Sequence, residues 1–285
     1  MPEGDTIHAL AGALGRELTG HRVTGFELRG RPPVHALVGC EVRAVRAWGK
    51  NTFIELDDAA VLWVHLGMYG RWSWYPAGDR RGEGLRGALL RLATERLTVA
   101  CFEAKTVELL RPRDLATHPK IATLGPDLVL PDVDLGVVLA RVRQRLHDAR
   151  PSLRELLLDQ RIAAGIGNIF QAETLFLERL HPDTDPRDLD DSRIEAVYAR
   201  ASALLAANVG AVPRVFTAGL PSRHLPGEHG DHGNRTWVYE RGGRPCRVCA
   251  TPIVRRGESA SDRVTWWCPA CQPAPTAAAW VGGGP

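Results

Sequence analysis

Four cysteines give the strongest chemical signal in the sequence. Cys246-Arg-Val-Cys249 and Cys268-Pro-Ala-Cys271 are two CxxC pairs separated by eighteen residues, a spacing typical of a four-cysteine zinc site. Each pair can turn two sulfurs toward one ion, and the intervening TPIVRRGESASDRVTWW can form a β-hairpin. Two disulfides or two redox pairs are the alternatives; a reducing compartment and the lack of a thioredoxin-like βαβ pattern argue against both. Four protein ligands leave no position for water or substrate, so such an ion would stabilise structure and perform no chemistry. A zinc deaminase would also need an HxE motif, and none of the ten histidines has Glu two residues later. Cys40 and Cys101 lie in apolar, strand-like contexts and read as core residues.

Other residues are weaker signals. Gly165-Ile166-Gly167-Asn168 interrupts a helical pattern, and Asn168 is placed to cap the next helix, whose free N–H groups attract phosphate; an ordinary helical hairpin reads the same way. Seven arginines between Arg235 and Arg263 against three acids give a local charge of +4, which suits a phosphate backbone or a solvated surface. Of 36 basic side chains only Lys50, Lys105 and Lys120 are lysines. His224, His229 and His232 share a Gly-rich stretch and read as solvated, a second metal there being a poor alternative.

The elements that must position these residues fall in order. Ile7, Leu10, Leu14 and Leu18 recur at helical spacing up to Gly20. Short segments rich in β-branched and aromatic residues follow (EVRAVRAW, NTFIEL, AVLWVHLGMYGRWSW, ALLRL, LTVACFE), predicting an antiparallel sheet domain over residues 1–130. Helical patterns then fill residues 131–220, with Ser152 and Ser192 as N-caps and Ile194, Val197, Ala201, Leu204 and Leu205 on one face. A loop over 221–234, the cysteine-bearing unit over 235–272 and a disordered tail over 273–285 complete the expected organisation. The opening MPEGDTIHAL carries no signal-peptide pattern and no run of about 18 apolar residues occurs, so no membrane span is expected and the cytoplasm is the default. The net charge of +3 identifies no partner by itself.

Met1-Pro2-Glu3-Gly4, LLLDQRIAAGIGNIF and the paired CxxC ribbon, in that order, resemble the formamidopyrimidine-DNA glycosylase and endonuclease VIII family over residues 2 to about 272. The resemblance implies an α+β multidomain fold: an N-terminal helix with an antiparallel β-sandwich, a helix-two-turn-helix domain and a C-terminal zinc-ribbon hairpin. It implies a monomer acting on damaged double-stranded DNA, with one structural zinc ion. The implied reaction is removal of an oxidised base through a Pro2 imine, followed by β/δ elimination at the abasic site. Pro2 is then the nucleophile, and Glu3 transfers protons. Lys50 and Arg263 contact phosphate beside the lesion, and Asn168 binds phosphate at the helical turn. Met68 and Tyr69 fill the space left by the extruded nucleotide; without the resemblance both read as core residues. Arg111 can approach the opposite strand.

Two departures bear on lesion choice. The family usually continues with Pro and a second Glu where this chain has Asp5 and Thr6, which puts glycosylase efficiency in question and leaves abasic-site cleavage intact. The Arg-Phe-Gly turn of the purine-directed branch is missing after residue 105, so the chain is closer to the endonuclease VIII branch and oxidised pyrimidines. An abasic-site lyase with weak glycosylase activity, a hydrolytic glycosylase using activated water, and a non-catalytic zinc-containing DNA-binding protein remain the alternatives.

Overall fold

A computed structural model describes residues 2–30, 35–79, 87–212, 214–217, 235–257 and 264–275. The chain separates into two units, Met1–Val129 and Leu130–Pro285.

In the first unit, helix α1 (Gly4–Leu18) buries Ile7, Ala11, Leu14 and Leu18 along one stripe, as the apolar spacing predicts. Strands β1 (Val23–Leu28), β2 (Val42–Trp48), β3 (Asn51–Leu56), β4 (Ala60–His65), β5 (Arg71–Pro76), β6 (Leu90–Thr94), β7 (Leu97–Phe102) and β8 (Thr106–Leu110) follow. They form two four-stranded sheets, ordered β1-β6-β7-β5 and β2-β3-β4-β8, with antiparallel pairing throughout. Ile54, Leu56, Leu62 and Val64 from one sheet share a core with Phe26, Leu92, Val99 and Cys101 from the other, closed by the α1 stripe. β1 and β8 are less legible in the sequence: Gly25 interrupts the first, and every residue of the second is only half-buried.

The chain changes sheets twice at one end of the unit. Residues 66–70 carry it from β4 to β5, and residues 103–105 from β7 to β8. Buried Leu66 joins the crossings, its carbonyl accepting from the N–H groups of Gly70 at 3.1 Å and Lys105 at 3.3 Å.

The second unit holds α2 (Leu135–Asp148), α3 (Leu153–Leu158), α4 (Asn168–Leu177) and α5 (Asp191–Ala207), then the hairpin β9 (Val254–Arg256) and β10 (Thr265–Trp267). Ser152 closes a full capping box with Glu155, as expected for an Ser-x-x-Glu start. The other two capping expectations are corrected. Asp190 caps α5 by accepting from the N–H of Arg193, and Ser192 donates to that carboxylate; the extended residue is Asp190, and Ser192 already lies inside the first turn. Gly167 occupies the cap of α4 and Asn168 is its first helical residue. Ile194, Val197, Ala201 and Leu205 are buried, while Leu204 is half-buried. The hairpin packs on α4 through Ala172, Phe176, Val238, Ile253 and Trp266. Among the described residues, no helix is long and apolar enough to cross a membrane.

Candidate active site and metal centre

Pro2 is half-buried just ahead of α1, and Glu3, the residue before the helix, is completely buried. Its backbone carbonyl accepts the N–H of Ile7 at 3.0 Å, so the helix begins by holding Glu3 in place. Asp5 in the first turn is also buried, 1% exposed. Two carboxylates therefore lie within three residues of the Pro2 nitrogen along the chain, at the helix end where backbone N–H groups favour negative charge.

Lys50 occupies the two-residue turn between β2 and β3, where Trp48 pairs with Asn51. Gly49 has φ of 55°, as the first position of a type II′ turn requires and as side-chain-bearing residues avoid. Four polar contacts hold this turn. The Gly49 N–H donates to the Asp127 carboxylate at 2.7 Å, and the Trp48 indole donates to the Gly125 carbonyl at 2.9 Å. The Asn51 amide donates to the Trp48 carbonyl at 3.0 Å and accepts from the Trp63 indole at 2.9 Å. Asp127 also accepts from the N–H of Val129 at 3.0 Å and lies 2.7 Å from His8 Nε2 on α1. Thus one buried carboxylate joins the helix that follows Glu3 to the turn that carries Lys50. Sequence reasoning missed Asp127, Asn51 and Trp63; only the polar character of a residue inside GPDLVL hinted at the first.

Met68 and Tyr69 stand at the tip of the 66–70 crossing with 58% and 73% of their surfaces exposed. The core reading suggested by composition alone does not hold, because both neighbouring glycines make the loop turn outward. Gly67 has φ of 71°, and a Cβ on Gly70 would lie 2.3 Å from the Leu66 carbonyl oxygen. Such a contact is impossible without moving the loop. Beside it, burial, and then the charges of Lys105, Lys50 and Lys120, hold the His65 imidazole below its ordinary pKa.

Arg111 is exposed and grips Asp114 with two hydrogen bonds, of 2.7 and 3.2 Å. Asn168 directs its amide to the Val264 carbonyl at 2.8 Å, tying α4 to the residue just before β10. Arg154 of α3 donates to Thr265 at 2.5 Å, and Arg256 forms a two-pronged pair with Asp183, both contacts at 2.6 Å. Arg263, His224, His229 and His232, and the tail from residue 276 onward lie outside the described residues.

The arginine stripe is also corrected in part. Arg241 is fully buried and donates to the carbonyls of Trp237 and Pro245, Arg247 donates to that of Thr236, and Arg256 is paired as above. These guanidiniums satisfy backbone carbonyls within the ribbon and, for Arg256, an acid between α4 and α5, so the local charge overstates what could face phosphate.

The ligand atoms of Cys246, Cys249, Cys268 and Cys271 all lie within 4.8 Å of one another. The separations of 3.4 Å for Cys249–Cys268, 3.6 Å for Cys249–Cys271 and 3.9 Å for Cys246–Cys271 bracket the ~3.8 Å edge of a tetrahedron with metal–sulfur bonds of about 2.3 Å. They are far too long for disulfides. Backbone N–H groups of Val248 and Cys271 point at the sulfurs of Cys246 and Cys268, each at 3.4 Å. Burial and the adjacent thiols push Cys271 up to about 12, whereas hydrogen bonds from Thr251 draw Cys249 down to about 6, so a bound dication is what would bring Cys271 to thiolate. The donor set and spacing fit a metal ion. Cys101 is buried in β7 and pushed up to about 12 by that burial, as a core thiol should be; Cys40 is half-buried before β2, outside any strand.

Comparisons with known proteins agree with this geometry. The formamidopyrimidine-DNA glycosylase N-terminal domain matches residues 1–117, and the formamidopyrimidine-DNA glycosylase H2TH domain matches residues 124–214. The chain is 30% identical over 289 residues to endonuclease 8 1 of Mycobacterium tuberculosis (strain ATCC 25618 / H37Rv), covering 95% of this chain and 100% of that protein. It is 32% identical over 281 residues to a probable endonuclease 8 2 of Streptomyces coelicolor, covering 96% and 95%. Among solved structures, Lactococcus lactis formamidopyrimidine-DNA glycosylase bound non-covalently to abasic-site DNA superposes with a TM-score of 0.76 at 20% identity, over 96% of this chain and 100% of that one. MutM in complex with DNA containing carbocyclic 8-oxo-G gives 0.76 at 21% identity with the same coverage.

Proposed function

The chain belongs to the formamidopyrimidine-DNA glycosylase and endonuclease VIII family, whose members are DNA glycosylases and abasic-site lyases acting on oxidised bases, and from that premise we propose how its own residues carry the reaction. Removal of Met1 makes Pro2 a terminal secondary amine. With an α-amino pKa of about 8, an appreciable fraction is neutral near pH 7. The nitrogen lone pair attacks C1′ of the extruded nucleotide, the C1′–N glycosidic bond breaks and the base leaves with a proton; the Pro2 nitrogen gives up its own proton, and its lone pair then opens the sugar by breaking the C1′–O4′ bond, O4′ taking up a proton. The resulting iminium draws electrons from C2′; loss of a C2′ proton breaks the C3′–O bond and releases the 3′ phosphate. A second elimination frees the 5′ phosphate, and water hydrolyses the imine.

Glu3 moves protons at the opening sugar, and its complete burial beside Pro2 is the observation that carries this reading. Asp5 supplies a second buried carboxylate one position before the one the family usually provides, which supports base removal as well as lyase activity. Lys50 contacts the phosphate beside the lesion. Met68 and Tyr69 enter the stack as the nucleotide leaves, which their exposure permits. Asn168, Arg111 and Arg263 contribute to the DNA grip. For Asn168 the side chain braces the ribbon, so its phosphate contact falls to the backbone N–H at the start of α4. The four cysteines hold one zinc ion, which when bound supplies only the fixed shape of the ribbon. The endonuclease 8 relatives and the absent Arg-Phe-Gly turn favour oxidised pyrimidines.

Borohydride should trap a covalent adduct between the mature protein and an abasic-site duplex. Pro2→Gly and retention of Met1 should each abolish it. An undiminished adduct in both, or none in wild type that binds the duplex, refutes the Pro2 assignment; base release without nicking or adduct would indicate a hydrolytic glycosylase.

A further inference from the structure

The register of the sheet β2-β3-β4-β8 brings distant basic residues to one edge. Asn51 pairs with His65, and His65 pairs with Thr106. Lys50 precedes Asn51 and Lys105 precedes Thr106, so the two lysines stand at the same end of the sheet, each one residue beyond a register partner of His65, on strands that flank β4 at about 4.8 Å per strand. Lys120 reaches the same edge from the segment after β8, its ammonium 5.9 Å from the centroid of the Trp63 ring. Trp63 lies two residues before His65 on the same face and donates to Asn51.

All three lysines of a chain with 36 basic side chains therefore converge on one place. Their charge is little offset. Glu103 pairs with Arg71, and Glu108 faces His118 at 3.5 Å; among the described residues no salt bridge joins Lys105 or Lys120 to a carboxylate. Lys105 is also built into the base of the exposed loop: its N–H donates to the Leu66 carbonyl, and a Cβ on Gly67 would lie 2.8 Å from its own Cβ. Its stem thus packs over Gly67, one residue from Met68.

We propose that Lys105 and Lys120 each bind a DNA backbone phosphate on the strand contacted by Lys50, with Lys105 serving the one adjacent to that of Lys50, so that loop entry and phosphate contact occur at the same step along the strand. The inference rests on the reading of Lys50 and Met68 given above. A compact ammonium on a flexible stem suits a phosphate whose position changes as the nucleotide is extruded.

The test is the salt dependence of binding to a duplex carrying an uncleavable abasic analogue. Each lost phosphate contact lowers the slope of log K against log salt by about 0.9. Between about 50 and about 200 mM salt, the affinity advantage of wild type over Lys105→Ala should shrink about 3.5-fold, and that over the Lys105→Ala, Lys120→Ala pair about 12-fold. Lys105→Gln should match Lys105→Ala, and Lys105→Arg should recover the wild-type slope. Arg43→Ala, at the opposite end of the same sheet, should leave the slope unchanged. Slopes of Lys105→Ala and Lys105→Gln equal to wild type would overturn the proposal. Borohydride trapping of wild type, run in parallel, judges the parent reading separately: an adduct together with unchanged slopes removes Lys105 alone.

Discussion

Asp127→Asn should damage catalysis more than binding. The Asp127 side chain has no exposed surface and serves the N–H groups of Gly49 and Val129 and the imidazole of His8. The amide that replaces it keeps one acceptor oxygen where three partners converge and turns an NH2 group against the others. Each buried donor left without an acceptor costs about 1–3 kcal/mol, so a loss of about 2–4 kcal/mol is expected. That corresponds to a melting temperature lower by roughly 5–15 °C.

The structural cost is not the test, since any buried polar group could show it. Asp127 fixes the Gly49 N–H, one residue from Lys50, and a displacement of about 1 Å at a catalytic group costs about 100-fold in rate. Single-turnover cleavage of an abasic duplex at saturating protein, well below the variant's melting temperature, should therefore fall by about two orders of magnitude. His8→Ala removes one partner of Asp127 and leaves the Gly49 contact, so it should lower the melting temperature with little change in rate. If Asp127→Asn melts early but cleaves at the wild-type single-turnover rate, the tether merely stabilises the fold and the positioning argument is wrong.

Other perturbations separate further parts of the machinery. Chelation should unfold the ribbon, because Cys246 and Cys268 belong to its core with Trp266 and Ile253 and structural zinc contributes about 10–16 kcal/mol where whole domains are stable by only about 5–15; loss of Trp fluorescence order and of DNA binding should follow together, and metal-free protein that binds as holo protein does would refute the role. Met68→Ala should leave the melting temperature unchanged, the side chain being 58% exposed, yet slow excision from duplex far more than cleavage of a single-stranded abasic substrate. Gly70→Ala should lower both stability and excision, since the new methyl meets the Leu66 carbonyl; equal behaviour of the two variants would argue against a loop held only at its base. Burial pushes Glu173 up to about 7, against the pull of the N–H groups of Trp237, Tyr239 and Val238 and of Arg241. A raised folded pKa means that its contribution is full below about 4.5, its ordinary value, and is lost as pH rises through 7. The stability difference between wild type and Glu173→Gln should therefore change across that window and flatten outside it, as read by denaturant melts from acid to mildly basic pH.

The order of elements was legible in the sequence because period and punctuation announce it: the α1 stripe, the strand runs and the two CxxC turns all stand where spacing puts them. The strands that escaped notice, β1 and β8, lack a clean alternation, and their place is set by partners across the sheet. Identities within the site depended on motif order. Positions did not follow. Nothing near residue 50 points to Asp127, and nothing in an arginine count separates a guanidinium that caps carbonyls, as Arg241 does, from one that faces solvent. Met68 and Tyr69 are apolar by type and exposed by conformation, so composition misplaces them; only the strain that Gly67 and Gly70 relieve reveals the loop. Asp190 and Ser192 show the same limit at a helix start, where both residues are good caps and backbone geometry chooses.

The two kinds of support in the first unit suggest why the residues are divided as they are. In the proposed reaction Lys50 meets a phosphate at one fixed distance from the reacting sugar, and its turn is held by contacts from Asp127, Gly125, Asn51 and Trp63. Preorganised groups of this kind lower a barrier because no reorganisation is needed during reaction. In the same reading Met68 and Tyr69 pass from solvent into the space a nucleotide vacates, and their loop is fastened at its base, through the Leu66 carbonyl and a Gly67 N–H donated to His65 Nδ1 at 3.1 Å, with the tip open. A loop packed as tightly as the Lys50 turn could not make that passage, and a turn as open as the loop could not hold a charge in register. Lys105 stands where these requirements meet: its backbone is fastened to Leu66 like the loop's base, and, like Lys50, it lies one residue beyond a register partner of His65.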